Sequence, residues 1–196
     1  VVEADIKGFF DHINHKWLMK MLSQRINDRP FLRLIWKWLK AGILDIDGKV
    51  IHPATGTPQG GIVSPILANV YLHYVLDLWF EKVIKPNCKG SGYLCRYADD
   101  FVVLFQYKSE AEWFYNQLPK RLEKFDLELA VDKTRILSFS KFRTKENSRF
   151  EFLGIQFRWG NNRKGKAQIK RRTSRKKLHK SIVEVTKWCR EHRNYQ

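Results

Sequence analysis

Cysteine is scarce: Cys88, Cys95 and Cys189 are the only three in 196 residues. Three scattered thiols support neither a disulfide framework nor a zinc site, and a reducing, cytoplasmic setting suits them. No uncharged apolar run of about 18 residues occurs, so the sequence predicts no membrane span. The first residues carry no signal-peptide pattern either. Acid is in deficit as well, with 20 Asp and Glu against 37 Lys and Arg and a formal net charge of +17. An excess that large predicts a polyanionic partner, most often nucleic acid. Apolar residues are not scarce: 43% hydrophobic and 14% aromatic content builds a sizeable core and excludes wholesale disorder. The length allows one domain, or one and a half.

The charge is uneven. Between Lys141 and Gln196 fall 18 of the basic residues and only 4 of the acidic ones, so this stretch carries +14 of the +17. The first 140 residues read as an ordinary globular body, and the remainder as the electrostatic footprint. The chain opens without a Met, already inside a strand, and reads as a piece of something longer.

Val1 to Phe10 predicts a buried strand running into a turn. Ile13, Trp17, Leu18, Met21, Leu22 and Ile26 then recur at helical spacing behind Asn14, a good N-cap. Pro30 opens a second helix with the stripe Phe31, Leu34, Ile35 and Trp38, and Gly42 lies beyond its end. Asp47-Gly48, between Leu44-Asp45-Ile46 and Lys49-Val50-Ile51, signals a short hairpin. A Gly-rich loop, Thr55 to Gly61, leads to Ser64 and Pro65 as N-cap and first residue of a long helix reaching about Lys85. Asn69, His73 and Asp77 mark that helix as part of a water-soluble protein's core. Tyr93–Tyr97 and Phe101–Phe105 predict two strands joined by a bend at Ala98-Asp99-Asp100. Ser109 and Glu112 have capping-box spacing, and Pro119 is placed to kink or divide the helix that follows. Short strands are expected around 134–139, 150–157 and 166–170, then a last helix from about Ser174 to His192. The order predicts an α+β fold: an antiparallel sheet with helices on one face.

Two adjacent aspartates at an apolar hairpin bend are costly, because like charges repel and Asp is poor in strands. A divalent cation removes the conflict, since Mg²⁺ takes oxygen ligands from one or two carboxylates plus substrate phosphates. A solvated turn explains the pair equally well when it is taken alone. Asp5 shifts the balance, because it ends an apolar strand with no obvious partner. If that strand lies beside the hairpin, three carboxylates converge in a way that suits two metal ions. Asp11, beyond the presumed turn, reads as a cap or a solvent-facing acid.

Tyr97-Ala98-Asp99-Asp100 resembles the YxDD box of reverse transcriptases. Asp5 to Phe10 resembles the family's first catalytic box, an Asp followed five residues later by an aromatic. Gly56 to His73 is similar to the corresponding stretch of group II intron reverse transcriptases (maturases). Leu127 to Thr134 is similar to their Lys-Thr box, with Ala-Val-Asp standing where Asn/Ala-Pro-Glu is more usual. Phe152-Leu153-Gly154 resembles their primer-grip box. The boxes occur in family order over essentially the whole chain.

The resemblance implies a reverse-transcriptase palm over residues 1–158, with residual fingers elements, and the start of a basic thumb over 159–196. It also implies that most of the fingers, the rest of the thumb and any maturase, DNA-binding or endonuclease domain are expected outside this chain. It implies two Mg²⁺, with Mn²⁺ able to substitute, held by Asp5, Asp99, Asp100 and the Ile6 carbonyl, with Asp5 and Asp99 bridging. Phe10 becomes a steric gate against a 2′-hydroxyl, and Gln59 a contact to nucleotide or template. Lys133 faces the triphosphate. In the thumb, Lys170, Arg171, Arg172, Arg175, Lys176 and Lys177 become nucleic-acid contacts. Cations in a helix's first turn oppose its dipole, a conflict that bound phosphate relieves. Arg96 pairs an acid or a phosphate, undecided from sequence. The implied partners are an RNA template, a DNA primer, a dNTP and a structured intron RNA. No membrane is implied, and a palm without its fingers leaves a sheet edge and apolar surface open to self-association. The rival readings are an RNA-binding splicing factor in which polymerisation is secondary or lost, and a retron, diversity-generating or CRISPR-associated reverse transcriptase. A nucleotide cyclase with a similar palm is more distant, having no use for the Pro58-Gln59-Gly60 loop or the basic tail.

Overall fold

A computed structural model describes residues 1–41, 43–44, 50–51, 55–57, 62–141 and 149–193. They form two compact units, one running from Val2 to Ile136 and one made of Val1 with 137–196.

In the first unit the alternation of Val2, Ala4 and Ile6 against Glu3, Asp5 and Lys7 sorts apolar from charged side chains. The three apolar ones belong to the buried core. The expected strand is shorter than the pattern, because β1 (Val2–Ala4) and β2 (Ile6–Lys7) end at Gly8. Gly8 has φ +52 and opens the single turn α1 (Phe9–His12). α2 (His15–Leu22) starts where expected, with the Asn14 side chain accepting from the Trp17 N–H. α3 (Arg29–Lys40) is capped by Asp28, with Pro30 in its first turn. Its buried residues are Ile35 and Leu39, whereas Phe31 and Trp38 of the expected stripe stay 43% and 41% exposed. The inward face is therefore rotated by one position from the aromatic one. β3 (Ile43–Leu44) and β4 (Val50–Ile51) pair as the expected hairpin, whose Asp47-Gly48 tip lies outside the described residues.

α4 (Ser64–Leu72) is not capped by Ser64: the cap position is Val63, without a side-chain bond, and Ser64 is the first helical residue. The helical path continues to Asn87, but through two wide turns, His73–Asp77 and Phe80–Ile84. There backbone N–H groups bond five residues back, Leu78 to His73 and Lys85 to Phe80. β5 (Gly92–Tyr97) and β6 (Asp100–Phe105) form the expected hairpin. α5 (Lys108–Glu123) begins before Ser109, so the capping box does not form, and Glu112 pairs instead with Lys108 one turn back. The helix runs undivided through Pro119. β7 (Glu128–Leu129) pairs with β2, and β8 (Arg135–Ile136), shorter than expected, pairs with β1.

The four-stranded sheet has the order β5-β6-β1-β8, with antiparallel pairing throughout. One face, with Val2, Ala4, Phe101 and Val103, packs into a core with Tyr71, Leu72 and Phe80 of the long helix and Phe114, Leu118 and Leu122 of α5. Tyr71, Phe80, Phe101 and Phe114 are fully buried there. Burying each such side chain contributes about 1.5–3 kcal/mol. The opposite face is free to carry charge.

In the second unit β9 (Arg149–Phe152), β10 (Ile155–Asn161) and β11 (Ala167–Thr173) form an antiparallel sheet of order β11-β10-β9. Phe139, Phe150, Phe157 and Trp159 stack on it as one aromatic group. α6 (Arg175–His192) follows, its Ser174 cap accepting from the Lys177 N–H.

Candidate active site

β5 and β6 are paired to their last residues, Tyr97 opposite Asp100, so Ala98 and Asp99 alone make the bend. A two-residue hairpin demands left-handed backbone, and Ala98 supplies it at φ +53. For a residue with a Cβ that conformation costs roughly 1–2 kcal/mol, so something must hold it. Arg96 does. Its Nε and Nη2 donate to the two Asp77 carboxylate oxygens, both at 2.7 Å. Its Nη1 donates to Asn69 Oδ1 at 2.8 Å and to the Ala98 carbonyl at 2.9 Å. The open question about Arg96 is thus answered: it pairs an acid, Asp77.

The register of β1 on β6, Val2 opposite Val103 and Ala4 opposite Phe101, puts Asp5 one step further on, level with Asp100. Opposed residues of an antiparallel pair share a face. Since Ala4 and Phe101 face the core, Asp5 and Asp100 stand on the outer one, with Asp99 at the adjoining bend. Three ion pairs tie the segment from Glu3 to Lys7 to its neighbours: Glu3 to Arg135, Asp5 to Lys133 and Lys7 to Glu128. The Lys133 Nζ donates to Asp5 Oδ2 at 2.8 Å. The hydrogen bond and charge of Asp5 hold the Lys133 amine above the usual lysine range, with Asp132 and Asp100 adding to the pull. The Asp5 carbonyl accepts from the Ala130 N–H on the β7 side. By the alternation of the ladder, the Ile6 carbonyl is then directed to the other side, that of the Asp99 bend. Tyr93, Cys95 and Tyr97 share the outer face along the edge strand, Tyr97 67% exposed.

Phe10 is half-buried, edge-on to Phe9 with ring centroids 5.4 Å apart. Its carbonyl accepts from the Thr57 N–H, and the Ile13 carbonyl from the Gly56 N–H, both at 2.8 Å. The Thr55 hydroxyl donates to the Asp11 carbonyl. Buried His15 bonds the Gly56 carbonyl through Nε2. Gly56 is required here, because at φ +86 a Cβ would lie 2.8 Å from the Phe10 and Asp11 carbonyl oxygens. Thr55-Gly56-Thr57, the start of the Gly-rich loop, is therefore seated on the turn that carries Phe10. Gln59 lies outside the described residues.

In the second unit, Phe152-Leu153-Gly154 forms the turn between β9 and β10, with Phe152 paired to Ile155. Leu153 (φ +52) and Gly154 (φ +74) are both left-handed, the pattern that best matches strand twist. The Gly154 carbonyl accepts from the Ser174 N–H. The Lys177 side chain lies over Gly154, where any Cβ would clash with it, and its Nζ donates to the Leu153 carbonyl at 3.4 Å. The Phe152-Leu153-Gly154 turn and the start of α6 are thus tied together. β11 is exposed along its length, Lys170 and Arg172 on one face and Arg171 on the other. Arg172 Nε donates to Gln156 at 2.7 Å. Arg175, Lys176 and Lys177 form the first turn of α6, which holds no acid.

The donor set at the bend is all oxygen, three carboxylates and a peptide carbonyl, which is the chemistry a hard divalent cation takes. Asp5 is paired in this structure with the Lys133 ammonium. The set suits Mg²⁺ in the chemistry of its donors. Among the described residues no three acidic, His or Cys side chains are gathered to metal-holding distance. No described helix is long and apolar enough to cross a membrane.

Sequence reasoning missed three of these elements: the Arg96–Asp77–Asn69 cluster, the His15 hold on Gly56 and the Glu3–Arg135 pair. The first had a signal, since Asn69, His73 and Asp77 recur every four residues and so form one polar stripe on the long helix.

Residues 1–157 match the model of the family described as reverse transcriptase (RNA-dependent DNA polymerase). Protein YkfC of Escherichia coli is 32% identical over 86% of this chain and 49% of its own length. The group II intron-encoded protein LtrA of Lactococcus lactis is 29% identical over 88% of this chain and 37% of its own. The chain thus spans half or less of these relatives. Telomerase from Candida albicans, solved with a fragment of telomeric RNA, superposes with a TM-score of 0.61 over 79% of this chain and 29% of its own, at 16% identity, a likeness of fold. With its paired strands, the Ala98-Asp99 bend between them and a family match over four-fifths of its length, the chain belongs to the reverse transcriptase (RNA-dependent DNA polymerase) family.

Proposed function

We propose that this chain carries the polymerising centre of a group II intron-type reverse transcriptase, which adds nucleotides from dNTPs to a DNA primer on an RNA template. The observation that carries the reading is the β1–β6 register, which puts Asp5 level with Asp100 and beside the Asp99 bend. Asp5, Asp99, Asp100 and the Ile6 carbonyl would hold two Mg²⁺, or Mn²⁺. Bound there, the ions supply Lewis acidity to the primer 3′-hydroxyl and to the α-phosphate, and charge for the departing pyrophosphate. Lys133, released from Asp5, turns to the triphosphate and offers its proton or its charge to the leaving group. Phe10, held by Thr57, walls off the position of a ribose 2′-oxygen. Gln59 contacts the nucleotide or template strand. The Phe152-Leu153-Gly154 turn seats the primer end, and Lys170, Arg171, Arg172, Arg175, Lys176 and Lys177 bind backbone phosphates.

Residues 1–158 are assigned to the palm with residual fingers, which the family match over 1–157 supports, and 159–196 to the start of the thumb. A structured intron RNA is a further partner, a reading that the +14 carried by residues 141–196 supports. That charge also favours the second reading, an RNA-binding splicing factor in which polymerisation is secondary. Primer extension on an RNA template with Mg²⁺ and dNTPs separates the two. Extension by the chain, reduced on the order of 10²–10³-fold or more by Asp99→Asn, supports the polymerase. Extension only when the chain is joined to the segments its relatives carry around it would show that those segments are required. Tight, salt-dependent RNA binding with no extension even then would sink the polymerase in favour of the splicing factor.

A further inference from the structure

Arg96 sits next to last in β5, its side chain only 12% exposed. It joins three things that sequence keeps apart: Asn69 in α4, Asp77 in the wide turn His73–Asp77, and the Ala98 carbonyl at the bend. The contact with Asp77 is a fork of two parallel bonds, a geometry that fixes the plane of the guanidinium. With the plane fixed by Asp77 and Asn69, Nη1 has one direction left, and it points at the Ala98 oxygen. A peptide unit is planar. Holding the Ala98 carbonyl therefore also orients the Asp99 N–H and the direction in which Asp99 leaves the bend. His73 Nδ1 lies 3.4 Å from the same Asp77 carboxylate and adds a further contact on the helix side.

We propose that Arg96 is a positioning residue: through the Ala98–Asp99 peptide it sets the orientation of the Asp99 carboxylate for cation binding. This rests on the reading of Asp99 as a metal-holding acid. Lysine cannot take over the role, because a single ammonium lacks the planar fork that bonds a carboxylate, an amide and a carbonyl together.

A control is available on α5, where Arg121 grips the same long helix from another side. Arg121 donates to the Tyr74 and Val75 carbonyls of that wide turn and stacks on Trp79 and Phe125, away from the bend. Arg121→Lys loosens the helix without touching Ala98. The experiment is Mn²⁺ titration of the chain by electron paramagnetic resonance, on the wild type, Asp99→Asn, Arg96→Lys and Arg121→Lys, well below each variant's unfolding midpoint. The expected result is a loss of Mn²⁺ affinity of about tenfold or more in both Asp99→Asn and Arg96→Lys, with Arg121→Lys within about twofold of wild type. If Asp99→Asn loses affinity while Arg96→Lys keeps it, Arg96 is structural only and the positioning role is overturned, with the metal reading intact. If Asp99→Asn binds as the wild type does, both fall. Should Arg96→Lys not fold, Asn69→Ala removes one partner of the same Nη1, and a loss of two- to fivefold is expected. Unchanged affinity there overturns the proposal.

Discussion

Replacing Gly56 by alanine tests how Thr55-Gly56-Thr57 is seated on the turn that carries Phe10. Two separate costs arise. At φ +86 a side chain is strained, which costs about 1–2 kcal/mol for an L-residue. The new Cβ also lies 2.8 Å from two carbonyl oxygens and 2.9 Å from the Asp11 Cα. These are backbone atoms and cannot swing aside, and overpacking of that kind adds about 1–3 kcal/mol. Gly8→Ala is the matched control in the same compact unit: φ is +52, but the nearest atoms, at 3.1 Å, belong to the movable His12 ring. Gly8→Ala should therefore show mainly the strain, about 1–2 kcal/mol, and Gly56→Ala the sum, roughly 2–5 kcal/mol. Urea unfolding followed by tryptophan fluorescence measures both. Equal losses in the two variants would refute the claim that the loop is fixed by direct backbone contact at Gly56.

Phe10→Ala should raise incorporation of ribonucleotides relative to deoxyribonucleotides by at least about tenfold, the scale on which a missing apolar wall acts. Single-nucleotide addition with paired dNTP and rNTP reads it. Replacing Arg171, Arg175 and Lys176 together by alanine should lower the slope of log affinity against log salt by about 2 to 3, measured by fluorescence anisotropy on a primer–template duplex. Tyr71 donates to the Phe125 carbonyl at 2.7 Å, and burial pushes its phenol well above the usual tyrosine value. The folded chain thus keeps a proton that the unfolded chain loses near pH 10, so this stabilisation is complete below pH 10 and falls as the pH rises further. Tyr71→Phe should be less stable at neutral pH by about 1–3 kcal/mol, and the gap should shrink above pH 10 in urea titrations.

Much of this was legible in the sequence because it is local. Asn14 caps α2 as its side-chain chemistry predicts, Tyr93 to Phe105 folds into the expected hairpin, and α6 starts after Ser174. Local signals failed where tertiary contacts outweighed them. Ser109 and Glu112 have the spacing of a capping box, yet the helix already begins at Lys108, and Glu110 is drawn to the Lys89 and Gly90 N–H groups. The aromatic stripe of α3 did not mark its buried face, since Ile35 and Leu39 together are what the core admits. The three aspartates were visible as an electrostatic conflict, whereas their registration needed β1 to pair with β6 across about a hundred residues. Arg96 could not be assigned from sequence, because its partners sit 19 and 27 residues away on an element whose rotation the wide turns set.

The most direct test of a shared metal site is to load the chain with Fe²⁺ in place of Mg²⁺, add peroxide and ascorbate, and map backbone cleavage by mass spectrometry. Radicals cut close to the ion. The β1–β6 register predicts cleavage both around Asp5 and around Asp99-Asp100, suppressed together by excess Mg²⁺ and by Asp99→Asn. Cleavage at one of these segments without the other, or unaltered in Asp99→Asn, would contradict it.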